Sequence, residues 1–364
     1  MSAHVVTKEQ IKHSLDAWYQ SMLQQQVEKA TRLKEEIDEK IVNVEEDQSL
    51  LLYYALLDFR YKVLTDGLGI TKDSFKEIDT FHMRSDNFLE FYYYFFKGIH
   101  STSISNFVEA RNYYEKAEEL LKYITDEIER AEFYYRISTF YNFTYQSYKV
   151  IKYGNMALNI FSQHPEYKIN VALCKNLLGG ICVHLKQYEE AEEYFTAAID
   201  ILQKQKEEIL ILRVRNNIGW LYASQNLSPL AIRHLSEVFE KIPNHYKSIL
   251  LLGREYFKLG ETEKVTELVE RGLSICNKLD DELYKHHFNI LNEMNRNVST
   301  ENIEKVISEG IRYFNKEELY EYTQEYAEKL AIRFYKESNH VKASGYFYLQ
   351  HEAKEKNFEK GALK

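Results

Sequence analysis

The sequence predicts an all-α protein: a small N-terminal helical bundle, then tandem helix pairs. Three observations carry this. Only 3 prolines and 13 glycines occur in 364 residues, too few breakers for a loop-rich or all-β chain. Apolar residues recur at helical spacing. A twelve-residue step between small or short apolar residues then recurs six times along the chain, which points to repeats.

The first 65 residues hold three helical segments. Ile11, Leu15, Trp18 and Met22 step by four, three and four, one face of a helix. Val27, Ala30, Leu33, Ile37, Ile41 and Val44 form a second stripe. The third segment, 50–64, is apolar almost all round and reads as the central helix of the bundle, with Asn43 and Glu46 as its cap. Residues 66–90 are polar with two glycines and read as a linker containing a short helix.

Beyond the linker the repeats begin, so residues 91–364 form the second domain. The sets are Gly98, Ala110, Tyr114, Ala117; Ser138, Val150, Gly154, Ala157; Gly179, Ala191, Phe195, Ala198; Gly219, Ala231, Leu235, Val238; Gly253, Val265, Val269, Gly272; and Ala331, Ala343, Phe347. Residues 281–315 diverge, and Pro243 stands where a terminator is expected. This is the tetratricopeptide pattern. Its small residues let the two helices of a pair approach closely, and stacked pairs build a superhelix with a concave face. The early steps of 40, 41 and 40 residues exceed the usual repeat, so helices or turns must be longer.

Composition limits the functions. Net charge is −9, which disfavours nucleic-acid binding. No apolar stretch approaches a membrane span and the N-terminus has no signal-peptide core, so the chain reads as cytoplasmic. Cys174, Cys182 and Cys276 lack metal-ligand spacing and read as buried apolar residues. His286 and His287 are adjacent and cannot share a helix face. No phosphate loop or nucleophile elbow is present. Thirty tyrosines suit a groove, since a Tyr can pack its ring and wet its hydroxyl.

One segment resists a purely scaffolding role. Glu45, Glu46, Asp47 and Gln48 precede the apolar run, and Gln48 shares a helix face with Leu51, Leu52 and Ala55. The helix dipole accounts for the three acids. It gives no reason for an uncharged amide beside an apolar strip, which suits protein docking.

EEDQSLLLYYALLDFR (45–60) resembles a motif of the Rap proteins of Bacillus. Trp18-Tyr19, FYYYFFKG (91–98), DEIERAEF (126–133) and NNIGWLY (216–222) resemble Rap segments in the same order. The resemblance covers essentially the whole chain. It implies a three-helix bundle joined to a tetratricopeptide-like domain. It also implies dephosphorylation of a response regulator of the sporulation phosphorelay, inhibited by a short imported peptide that draws the bundle into the repeats. The alternative it allows is a non-catalytic protein that sequesters the DNA-binding domain of a regulator. The partners are then a response regulator and a peptide, with no nucleic acid and no membrane. No cofactor is expected on this chain, Mg²⁺ belonging to the regulator.

By the same resemblance Gln48 is the dephosphorylating glutamine, and Glu46, Asp47, Leu51 and Phe59 shape the docking surface. Asn217 matches the asparagine that holds the peptide backbone, and Tyr153 and His184 fall on groove positions. Ile181 and His184 stand where many relatives carry Asn and Asp, so a cationic peptide loses an anionic partner.

Overall fold

The structure is a computed structural model that describes residues 7–41, 47–81 and 86–361. Among these residues there are seventeen α-helices and no strand. The first three are α1 (Lys8–Leu23), α2 (Val27–Ile41) and α3 (Gln48–Thr65). Seven helix pairs follow: α4 (Asn87–Ser103) with α5 (Phe107–Leu120), α6 (Glu127–Phe143) with α7 (Ser147–Ser162), α8 (Lys168–His184) with α9 (Tyr188–Gln205), and α10 (Glu208–Ser224) with α11 (Ser228–Lys241). The last three pairs are α12 (Tyr246–Lys258) with α13 (Thr262–Leu279), α14 (Glu282–Asn295) with α15 (Thr300–Lys316), and α16 (Tyr320–Lys336) with α17 (His340–Gly361). The divergent stretch 281–315 is thus a full pair. The chain forms two compact units, Met1–Ile137 with Asn155–Val171, and Ser138–Gly154 with Ala172–Lys364.

In the first unit, Thr7 and Gln10 cap α1 reciprocally. The expected face Ile11, Leu15, Trp18 and Met22 is buried. Helix α2 buries Ala30, Ile37 and Ile41, whereas Val27 is exposed. The cap of α3 differs from expectation. Asn43, Val44 and Glu46 lie outside the described residues. The helix begins at Gln48, and the Asp47 carboxylate accepts from the N–H groups of Ser49 and Leu50, each at 3.2 Å. Helix α3 is buried on several sides, as its apolar run requires.

The 66–90 segment carries two 3-10 turns, Lys72–Phe75 and Ile78–Thr80, in place of one short helix. Its few apolar residues are drawn in: Ile70, Phe75 and Ile78 are buried. Phe75 meets Phe59 edge-on with ring centroids 4.9 Å apart, and a ring nitrogen of His100 lies 2.9 Å from the Thr71 carbonyl.

The helices of most pairs are joined by a three-residue turn whose middle residue has positive φ: Ser105, Tyr145, Lys186, Asn226, Gly260 and Ser338; Glu318 makes the same turn between two pairs, from α15 to α16. The N–H after it returns to a carbonyl five residues back, as from Asn106 to Ser101 at 2.8 Å. This satisfies a helix C-terminus that would otherwise waste a carbonyl. Gln25 forms the same turn between α1 and α2, where Gln26 N–H bonds the Ser21 carbonyl at 3.0 Å. The first hairpin of the bundle therefore has the turn of the repeats, a kinship the periodicity did not reveal.

The small residues act as expected. A Cβ on Gly219 would stand 2.6 Å from the Leu235 side chain, one on Gly179 2.7 Å from Phe195, and one on Gly272 2.1 Å from Phe288. Ala331 and Ala343 are buried, though Phe347 of the same set is exposed. All three cysteines are free and buried. Gly272→Ala should lower stability by about 1–3 kcal/mol through overpacking, against a propensity gain of at most about 1 kcal/mol. Gly345→Ala, whose Cβ would meet nothing within 4 Å, should be neutral or mildly stabilising. Urea unfolding of both variants checks the pair.

Candidate functional site

The Gln48 edge belongs to the first unit. Gln48 is exposed at the first position of α3, and no hydrogen bond to its side chain occurs among the described residues. Its neighbour Asp47 is committed elsewhere. Lys8 pairs with it at 3.1 Å, and this bond, with the Leu50 N–H, holds the carboxyl below its usual range. Among the described residues the amide of Gln48 is thus an uncommitted polar group at a helix N-terminus, which favours an approaching anion. Leu51 and Ala55 on its face are half-buried, while Leu52 is buried. Phe59 is not part of any surface here. It is 1% exposed, packed against Phe75 and His100. Of the expected docking residues, Gln48, Asp47 and Leu51 stand together, Phe59 is core, and Glu46 lies outside the described residues.

Further along α3 a buried ion pair joins it to α6, and α4 meets α6 through a second polar contact. Arg60 is fully buried and donates to Glu132 at 2.8 Å, and Arg136 donates to the same oxygen at 2.8 Å. Among the described residues the Nε and Nη1 of Arg60 and the second oxygen of Glu132 have no hydrogen-bond partner. Burial pushes the Glu132 carboxyl up, but Arg136 and Arg60 together hold it below its ordinary value. Nearby, the Tyr92 hydroxyl donates to Glu129. Burial, with Asp126 and Asp16 adding to it, pushes the Glu129 carboxyl up to about 7 against the Tyr92 bond.

A raised carboxyl pKa means the folded state keeps a proton that the unfolded chain has lost. Glu129 therefore contributes stability at low pH that fades as pH rises from the ordinary carboxylate range through about 7. Thermal unfolding should show wild type losing stability between pH 5 and 8 relative to Glu129→Gln. Parallel pH profiles for the two would contradict this.

The second unit holds the expected groove residues. Asn217 is half-buried on α10; its Nδ2 donates to Asn176 of α8 at 3.0 Å, and its oxygen accepts from Asn216 at 3.2 Å. Asn176 went unremarked in the sequence, although a lone amide in the apolar run KNLLGG was its signal. His184 lies eight residues further along α8, about 12 Å by helix rise. Its ring stands 5.0 Å from that of Tyr145 and 3.4 Å from the Ser147 hydroxyl, and Glu321 is 3.9 Å away. Burial lowers its pKa, so it is a neutral ring where the resemblance expects an anion. Tyr322 meets Tyr145 edge-on at 5.5 Å, so α16 completes this corner. Ile181 is buried. Tyr153 is 6% exposed and stacked on Tyr141 at 5.7 Å, which makes it a packing residue and not a wall of the groove.

Comparison with known proteins matches both parts. The family described as response regulator aspartate phosphatase H, N terminal, matches residues 5–66, and a tetratricopeptide repeat family matches residues 169–241. Response regulator aspartate phosphatase I of Bacillus subtilis (strain 168) is 28% identical over 94% of this chain and 90% of its own length. Regulatory protein RapF of the same organism is 27% identical over 94% of each. Among solved structures, a Rap protein complexed with competence and sporulation factor aligns with a TM-score of 0.83 at 25% identity, over 97% of this chain and 100% of the other. The apo form of RapI aligns at 0.55 and 28% identity, over 97% and 99%. No helix among the described residues is long and apolar enough to cross a membrane. With its N-terminal match, its repeats and relatives along nearly its full length, the chain is similar to the Rap proteins from end to end.

Proposed function

We propose that this protein is a cytoplasmic response regulator aspartate phosphatase, acting on a regulator of the sporulation phosphorelay and inhibited by a short peptide. One observation carries it: an exposed, uncommitted glutamine at the capped start of α3. An acyl phosphate on aspartate is already reactive, and its hydrolysis needs a positioned water. The amide of Gln48 can accept from that water and donate to the phosphoryl oxygens, aligning in-line attack without acting as a base. Mg²⁺ sits on the regulator and none on this chain. Residues 1–65 dock the regulator, with Leu51 and Ala55 as the apolar strip beside the amide, and 91–364 hold the peptide. The names of the relatives, response regulator aspartate phosphatases I and H, support this reading.

The test follows release of phosphate from a phosphorylated receiver domain, with purified protein and candidate peptides present or absent. Asn217, bonded to Asn176 and half-exposed, is the residue for the peptide backbone. Asn217→Ala should weaken peptide binding at least tenfold in calorimetry, with about 2 kcal/mol as the scale of a lost pair of hydrogen bonds. A second reading is sequestration of a regulator without hydrolysis. Capture of an isolated DNA-binding domain, with no acceleration of receiver hydrolysis, would select it.

A further inference from the structure

The second unit contains a cavity of about 310 Å³. Its walls come from α10, α12, α14 and α16, the first helices of four consecutive pairs. One side is apolar: Trp220, Leu251 and Met294. The other is charged, and its charges do not cancel. Three cations line it, Arg254, Lys258 and Lys329, against two carboxylates, Glu255 and Glu325.

Each carboxylate is already engaged. Glu325 lies 2.5 Å from Lys329 and 3.6 Å from Arg254. Glu255 lies 2.7 Å from Lys258 and accepts from the Ser228 hydroxyl at 2.7 Å. Arg254 also donates to the Tyr326 hydroxyl at 2.6 Å. Burial lowers the Lys329 pKa; Glu325 raises it in part, and Arg254 and Lys258 press it down.

A half-apolar cavity one negative charge short calls for a monoanion on an apolar body. A cation would add to the surplus, and a neutral apolar group would leave it unmet. A dianion such as phosphate would overshoot it and leave the apolar wall uncovered. The place of the cavity narrows the choice. Trp220 is three residues after Asn217 on α10, a helical neighbour about 4.5 Å along the axis.

We propose that this cavity takes the C-terminal residue of a short peptide, its apolar side chain against Trp220 and its free carboxylate against Arg254, Lys258 and Lys329. The proposal rests on the peptide-binding reading above and adds which end of the peptide is read and how. It requires an apolar last residue and an unmodified carboxylate.

The probe is N-acetyl-L-leucine, titrated against the full chain and followed by Trp220 fluorescence. Buried Trp18 gives a constant background, and Trp220→Phe removes the signal. The acid should bind saturably in the millimolar range, and N-acetyl-L-leucinamide at least tenfold more weakly. Lys329→Gln should weaken the acid at least fivefold. Glu325→Gln should tighten it, a gain that misfolding cannot imitate. Equal binding of acid and amide, or no saturable change, would overturn the proposal. Hexanoate binding as tightly as N-acetyl-L-leucine would also overturn it, since the site would then read any amphipathic carboxylate. Acid-selective binding of the fragment together with no peptide effect on phosphatase activity would keep the subsite and reject peptide control. Loss of the fragment signal with intact peptide control would do the reverse.

Discussion

Glu132→Ala should be the most destabilising single change in the first unit, costing about 3–5 kcal/mol. Glu132 is 1% exposed and is the carboxylate shared by Arg60, itself fully buried, and Arg136. Removing it leaves Arg60 charged inside the protein. Water cannot reach the guanidinium, and burial already lowers the Arg60 pKa, with Arg136 adding repulsion. Among the described residues two Arg60 nitrogens lack hydrogen-bond partners even in the intact cluster. The double variant Arg60→Met, Glu132→Leu should recover most of the loss, because it removes the buried charge pair while keeping volume. Urea unfolding followed by Trp18, fully buried beside α3 in the same unit, measures both. A double variant as unstable as the single would show that packing at this point, and not charge, sets the cost.

Gln48→Ala should abolish most phosphatase activity while sparing the fold. An exposed first-turn residue with no side-chain hydrogen bond among the described residues contributes little to stability, within about 0.5 kcal/mol. Its expected catalytic role is alignment of water at a phosphoryl group, and losing one such positioning contact costs on the order of 10²-fold in rate. Receiver binding should persist, since Leu51 and Ala55 remain. Gln48→Glu should not rescue the rate: a carboxylate can accept from water, but it repels the phosphoryl oxygens and cannot donate to them. Surface-binding measurements alongside the hydrolysis assay separate lost chemistry from lost docking.

Much of this was legible in the sequence because it rests on local spacing. The twelve-residue step identified Gly219 and Gly179 as close-approach positions, and the Cβ contacts to Leu235 and Phe195 bear this out. The stripe Ile11, Leu15, Trp18, Met22 named the buried face of α1. What escaped depended on partners distant in sequence. Phe59 looks like a surface aromatic until Phe75, from a segment read as linker, covers it. Local spacing says nothing of Arg60, and only the chain's return 72 residues later with Glu132 makes it a buried ion. Tyr153 carries a groove-like residue type, but Tyr141 stacks on it and withdraws it. His184 was marked as a departure, and burial at the corner with Tyr145 and Glu321 explains how a neutral ring is tolerated there. The αL turns were invisible because all but Gly260 use ordinary residues, whose strain the surrounding pairs absorb.

The most direct measurement of the central claim is the loss of label from a phosphorylated receiver domain, timed with and without purified wild-type protein. The account predicts that wild type accelerates the loss well beyond the receiver's own rate, and that Gln48→Ala returns it close to that rate. A receiver that loses its phosphoryl group equally fast in all three reactions would contradict it.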